Sequence, residues 1–70
     1  MLDKVKYEEN RLHSISLQSR IEFLFLERAY HIYKGDDKMV DFIQEEIETS
    51  KSKLNNIWDQ QIELFFKINK

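Results

Sequence analysis

The chain has 70 residues, with 41% hydrophobic and 34% charged side chains and a net charge of −2. That length allows one domain, and a core this small supplies only about 3–5 kcal/mol unless something staples it. With no cysteine the staple is neither a disulfide nor a thiolate metal site, which leaves oligomerisation or a bound partner. Aromatics at 13% argue against a disordered acidic tail. Acids interleave with most of the lysines and arginines, so no basic stripe points to nucleic acid. No apolar run approaches a membrane span, and the N-terminal residues lack a signal peptide's apolar centre. A cytoplasmic protein with no membrane partner is expected. The abundance of Lys, Ile, Asn and Glu suits an AT-rich bacterial or phage source.

In chain order, residues 1–18 are expected to be a weakly packed segment. They offer few apolar contacts, and Ser14, Ser16 and Ser19 weaken a helix. Ser19-Arg20-Ile21-Glu22 fits a capping box, so the first core helix is expected over 19–34, with residues 3–13 a separate helix or an extension of it; the alternative is that the serines simply lie on a solvated face. Within it, Ile21, Phe25, Ala29 and Ile32 form one apolar stripe and Phe23, Leu26, Tyr30 and Tyr33 another. Polar positions cluster on a narrow strip of Glu27, His31 and Lys34, with Arg28 at its edge. A helix apolar on most sides is expected to be buried on most sides. Tyr30 and Tyr33 are accordingly placed in the core with their hydroxyls reaching water; a contact surface beside the turn is the alternative.

Gly35 is the only glycine, and there is no proline. In Lys34-Gly35-Asp36-Asp37 the glycine can close one helix in the left-handed conformation while an aspartate caps the next. The second helix is expected over 37–69. Val40, Ile43, Ile47, Ser50, Leu54, Ile57, Gln61, Leu64 and Ile68 keep a 3-4 spacing, the pattern of a coiled-coil seam. Ser50 and Gln61 interrupt it, and Thr49-Ser50-Lys51-Ser52 marks a candidate break near 49–52. Beside the seam runs a second stripe of Trp58, Ile62, Phe65 and Phe66. Trp58 is expected in the core, with a binding hot spot as its alternative.

The predicted fold is all-α, an antiparallel two-helix hairpin turning at Lys34–Asp37, with position n beside position 71 minus n. The stretch 57–68 then faces the mostly charged 3–14, and 21–33 faces a single good stripe. The mismatch leaves apolar surface that marks an interaction site. Three arrangements would cover it: a four-helix dimer, bending at the serine-rich stretches into a compact three- or four-helix bundle, or a target protein's helix in a groove. The candidate partner-binding residues are Phe23, Phe25, Leu26, Trp58, Ile62, Phe65 and Phe66.

No catalytic, cofactor or metal site is assigned. His13 and His31 are about 27 Å apart on one helix, and Glu27 with His31 makes at most half a metal site. Asp36 and Asp37 are explained by capping, and one glycine cannot build a phosphate loop. The stretch Gln44-Glu45-Glu46-Ile47-Glu48 resembles the Ser-Gln-Glu-Leu-Asp signature of the small aspartyl-phosphate phosphatases that regulate sporulation in bacilli. Those are also short helical hairpins, and the resemblance implies dephosphorylation of a response regulator. The serine is absent here, the aspartate is Glu48, and no site carries over. The expected function is a small non-enzymatic regulatory or inhibitory protein, phage- or plasmid-encoded or bacterial, that binds a partner protein of unknown identity through its helices. A homodimerisation module, the phosphatase-like regulator and a small helical nucleic-acid binder are the alternatives.

Overall fold

A computed structural model describes residues 2–69; residues 1 and 70 of the expected domain lie outside that range. Helix α1 spans Leu2–Lys34 and helix α2 spans Asp37–Ile68. The two run antiparallel in contact along their length, a hairpin measuring 52 × 14 × 13 Å. The long axis is the length of one unbroken helix of 33 residues, about 1.5 Å each.

The turn is as short as its residues allow. Gly35 takes φ +75°, its N–H donates to the Ile32 carbonyl at 3.1 Å, and the Asp36 N–H donates to the His31 carbonyl at 3.0 Å. This nested pair satisfies two of the carbonyls left open at the end of α1. Asp36 then starts α2, its carboxylate accepting from the Met39 N–H at 3.2 Å. A Cβ at position 35 would meet no atom within 4 Å, so the demand for glycine is purely conformational. Gly35→Ala is therefore expected to cost about 1 kcal/mol, and Gly35→Asn less, because asparagine tolerates the left-handed region. Urea denaturation followed by circular dichroism measures both.

The serine-rich stretches do not break the helices. Ser19 lies inside α1 and caps nothing, residues 2–18 continue into 19–34 as one helix, and the described residues do not bend into a compact bundle. α2 likewise continues through 49–52. The hydroxyls turn back onto the helix: Ser14 Oγ donates to the Arg11 carbonyl at 2.8 Å and Thr49 Oγ1 to the Glu45 carbonyl at 3.0 Å. Such bonds satisfy the side chain without opening the backbone ladder.

The seam of α2 is the 3-4 series from Val40. Ile43, Ile47, Ser50, Leu54 and Ile57 are buried, and Val40, Gln61, Leu64 and Ile68 half-buried. α1 faces it with Asn10, Ser14, Leu17, Ile21 and Leu24 buried and with Arg28 and His31 half-buried. This differs from both stripes expected on α1. The strip that includes Glu27, Arg28 and His31 turns toward the seam, while Phe23, Phe25, Leu26, Ala29, Tyr30, Ile32 and Tyr33 are exposed. A helix can match a 3-4 seam with only one such series. Asn10-Ser14-Leu17-Ile21-Leu24-Arg28-His31 is the α1 series that carries leucine and isoleucine at the levels of Ile43 to Ile57. The expectation that α1 is buried on most sides is overturned, because one neighbouring helix covers only one side.

Core burial is modest. Leu17, Ile21, Leu54 and Ile57 make one cluster, and Leu24, Ile43 and Ile47 a second. Ser50 is buried at a level between them. Toward the open end the seam becomes polar: Asn10 Nδ2 donates to Gln60 Oε1 at 3.3 Å, and Gln61 Nε2 donates to the Tyr7 carbonyl at 2.9 Å.

Candidate interaction surfaces

The seven residues expected to bind a partner are all exposed, and the hairpin sorts them onto different faces. In an antiparallel pair the residues flanking the seam line two long faces, and each face carries one flank of both helices.

The first is a grooved face. On α1 it runs along Lys4, Glu8, Arg11, Ile15, Gln18, Glu22, Phe25, Ala29 and Ile32. On α2 it runs along Asp41, Gln44, Glu48, Lys51, Asn55, Trp58, Ile62 and Phe65. Each series keeps alternating 3- and 4-residue steps, so each is a continuous stripe. Lys51 Nζ lies 5.2 Å from the centre of the Phe25 ring, a cation–π contact between the helices at this face. A groove next to it is lined by Gln18, Ile21, Glu22, Lys51, Leu54, Asn55 and Trp58. It leads into a shallow depression of about 550 Å³ lined by Tyr7, Trp58, Gln61, Ile62, Phe65 and Phe66. The Phe65 and Phe66 rings meet edge to face, centroids 6.2 Å apart. Trp58 is 43% exposed, so it is not a core residue, and its ring forms a wall of this depression.

The opposite face is more polar. Arg20 and Glu46 form an ion pair at 3.3 Å across the helices, and Asn10 with Gln60 bonds lower on the same side. Met39 and Phe42 supply its apolar portion near the turn. Both ion-pair partners are partly exposed, so the pair fixes register more than it adds stability.

The third surface is the back of α1, remote from α2. Phe23, Leu26, Tyr30 and Tyr33 stand there at 61%, 70%, 57% and 85% exposure. Their steps of 3, 4 and 3 residues are those of a coiled-coil seam, here with no helix of this chain upon it. Tyr30 is held by its neighbours: Lys34 Nζ lies 5.7 Å from its ring centre, and the His31 ring packs edge to face at 5.1 Å. The placement of Tyr30 and Tyr33 in the core is thus corrected; both belong to the surface beside Gly35.

His31 Nδ1 is 4.0 Å from Asp36 Oδ2, inside the turn, while His13 is exposed on α1. Among the described residues no three His, Asp or Glu side chains converge on a common point, and no helix is long and apolar enough to cross a membrane. Gln44, in the stretch with the phosphatase likeness, bonds along its own helix to Glu48 at 3.3 Å.

Leu17 and Leu24 are core residues that the sequence reading did not single out. Phe23 and Phe25 lie on different faces and Ile32 lies with Phe25, in keeping with the two stripes read on α1. The 3-4 steps from Leu17 through Ile21 to Leu24 were the available signal. No protein-family model, curated protein or solved structure matches the chain.

Proposed function

We propose that this chain is a small non-enzymatic regulatory or inhibitory protein that acts by docking the back of α1 against a helix of a partner protein. The single observation that carries this reading is the exposed Phe23-Leu26-Tyr30-Tyr33 stripe, more apolar than the α1 series that packs on α2. Four large side chains at seam spacing over about three helical turns form the footprint that a helix-on-helix contact uses. Each is worth up to about 1.5–3 kcal/mol when fully covered. Tyrosine suits such a site, because its ring is buried while its hydroxyl stays at the wet rim. A partner helix laid here is occupied and withdrawn from other contacts, which is the physical content of inhibition in this reading.

The test is a photo-crosslinking amino acid at Leu26 in cells of the native host. One discrete heterologous adduct is expected. It should vanish when Tyr30→Asp and Tyr33→Asp are added, and should not form when the crosslinker sits at Glu45. If no adduct forms, or if it survives both aspartates, the reading fails.

A further inference from the structure

The grooved face is a second surface, separate from the back of α1, and the distribution of residues along it points to its occupant. We propose that it takes a second copy of the same chain, laid antiparallel, so that the turn end of each hairpin covers the open end of the other and the pair forms a four-helix bundle.

Surface area gives the first argument. The hairpin exposes 5692 Å². A compact monomer of 8.6 kDa is expected to expose about 4,700 Å². The excess, roughly 1,000 Å², is close to the ~800 Å² that each partner buries in a stable dimer. One long face of a 52 × 14 Å body offers a footprint on the order of 700 Å² before side-chain relief, enough to take up most of that excess.

The second argument is self-complementarity. On α1 the apolar part of the face is Phe25, Ala29 and Ile32 in the half near the turn, with Ile15 close to the midpoint; on α2 it is Trp58, Ile62 and Phe65, in the half near the open end. Position n lies level with 71 minus n, so the two sets sit at nearly equal distances either side of Ser19 and Ser52. A two-fold axis through that midpoint, across the helices, exchanges the halves. Each end of the bundle then receives Phe25 and Ile32 from one copy and Trp58 and Phe65 from the other. Such an isologous match is what a closed dimer requires. Flank positions that are apolar beside an apolar seam are also the wider stripe of four-helix bundles, as distinct from two-stranded coils.

Charge selects the orientation. The turn half of the face carries Glu22, Asp41 and Glu48, against one lysine, Lys51, near the middle. The open half carries Lys4 and Arg11 against Glu8, which pairs with Arg11 at 3.0 Å, so Lys4 is its unpaired charge. The antiparallel arrangement sets the acidic half over the basic half. Placing the turn ends together would stack Asp41 and Glu48 of both copies at one end.

The experiment combines mass with one distance. Sedimentation equilibrium of the unaltered chain at micromolar concentration is expected to give twice the monomer mass. A nitroxide at Lys38→Cys, beside the turn, should report a spin–spin distance of about 50 Å, since the two turns lie at opposite ends of the bundle. Trp58→Glu with Phe65→Glu should halve the mass, whereas Leu26→Asp with Tyr30→Asp should leave it doubled, because those residues lie on the other surface. A monomeric mass at all concentrations, or a turn-to-turn distance under about 20 Å, overturns the proposal. So does a dimer that survives the Trp58 and Phe65 changes with its helix content intact. If those changes unfold the chain, the distance measured on the labelled parent decides. None of these outcomes bears on the crosslink at Leu26, so the two readings stand or fall separately.

Discussion

Ile47→Ala is expected to remove most of the stability of the hairpin, about 2–5 kcal/mol. Among the described residues Ile47 is the one large side chain that is fully covered, at 0% exposure, and it joins Leu24 and Ile43 in the cluster nearer the turn. Truncation removes three carbons from a site whose walls are two rigid helices, so little can relax into the space. Alanine is the better helix former by a few tenths of a kcal/mol, which offsets only a small part of the loss. A seam of this size supplies about 3–5 kcal/mol in total, so the variant is expected to lose most of its cooperative unfolding transition at 25 °C. Thermal and urea denaturation by circular dichroism provides the check. Phe42→Ala is the control: that ring is 56% exposed and its loss should cost well under 1 kcal/mol. If both changes cost the same, the seam around Ile47 is not what holds the arms together.

The same contrast explains which parts of the fold were legible in the sequence. The turn was readable because only one residue in 70 is glycine, and Asp36 stands where a cap must stand. The α2 seam was readable because apolar residues fill seven of its nine positions, and the neighbouring positions Gln44, Glu48, Lys51 and Asn55 are polar. In α1 the rule fails for a physical reason. The seam on that helix holds only Leu17, Ile21 and Leu24 among polar residues, and the outward surface carries more apolar side chains than the inward one. Ranking faces by hydrophobicity therefore selects the wrong one. What decides is register against α2, and register is a property of two helices together.

The candidate surface was legible as a set of residues and not as a geometry. The spacing already puts Phe23 with Leu26, Tyr30 and Tyr33 on one stripe of α1 and Phe25 with Ala29 and Ile32 on another. Only after α1 is set against α2 does Phe25 fall in line with Trp58 and Phe65 on a single face. The serines misled in the opposite sense. Ser14, Ser19 and Thr49 read as weak helix formers that left the continuity of both arms open, but a long helix with a partner along its length tolerates a few of them, because packing outweighs tenths of a kcal/mol of propensity.

Ser14→Leu combined with Ser50→Leu is expected to raise the stability of the hairpin by about 2 kcal/mol. Both serines lie in the seam and are buried, at 9% and 5% exposure. Ser50 lies level with Ile21, between the two apolar clusters, and Ser14 lies level with Ile57 at the edge of one of them. Leucine at Ser50 would join the clusters into one continuous core. A fully buried leucine contributes about 1.5–3 kcal/mol, and leucine forms helix slightly better than serine. Against this stand the Ser14–Arg11 bond, worth about 1 kcal/mol net, and strain of about 1–3 kcal/mol if the helices must move apart. The gain should appear as a higher urea midpoint with an unchanged slope. A lower midpoint would mean that the small side chains are required for the helices to approach as closely as they do. A higher one would mean that the seam was left weak by composition, and that the hairpin relies on the surfaces outside its seam to complete its stability.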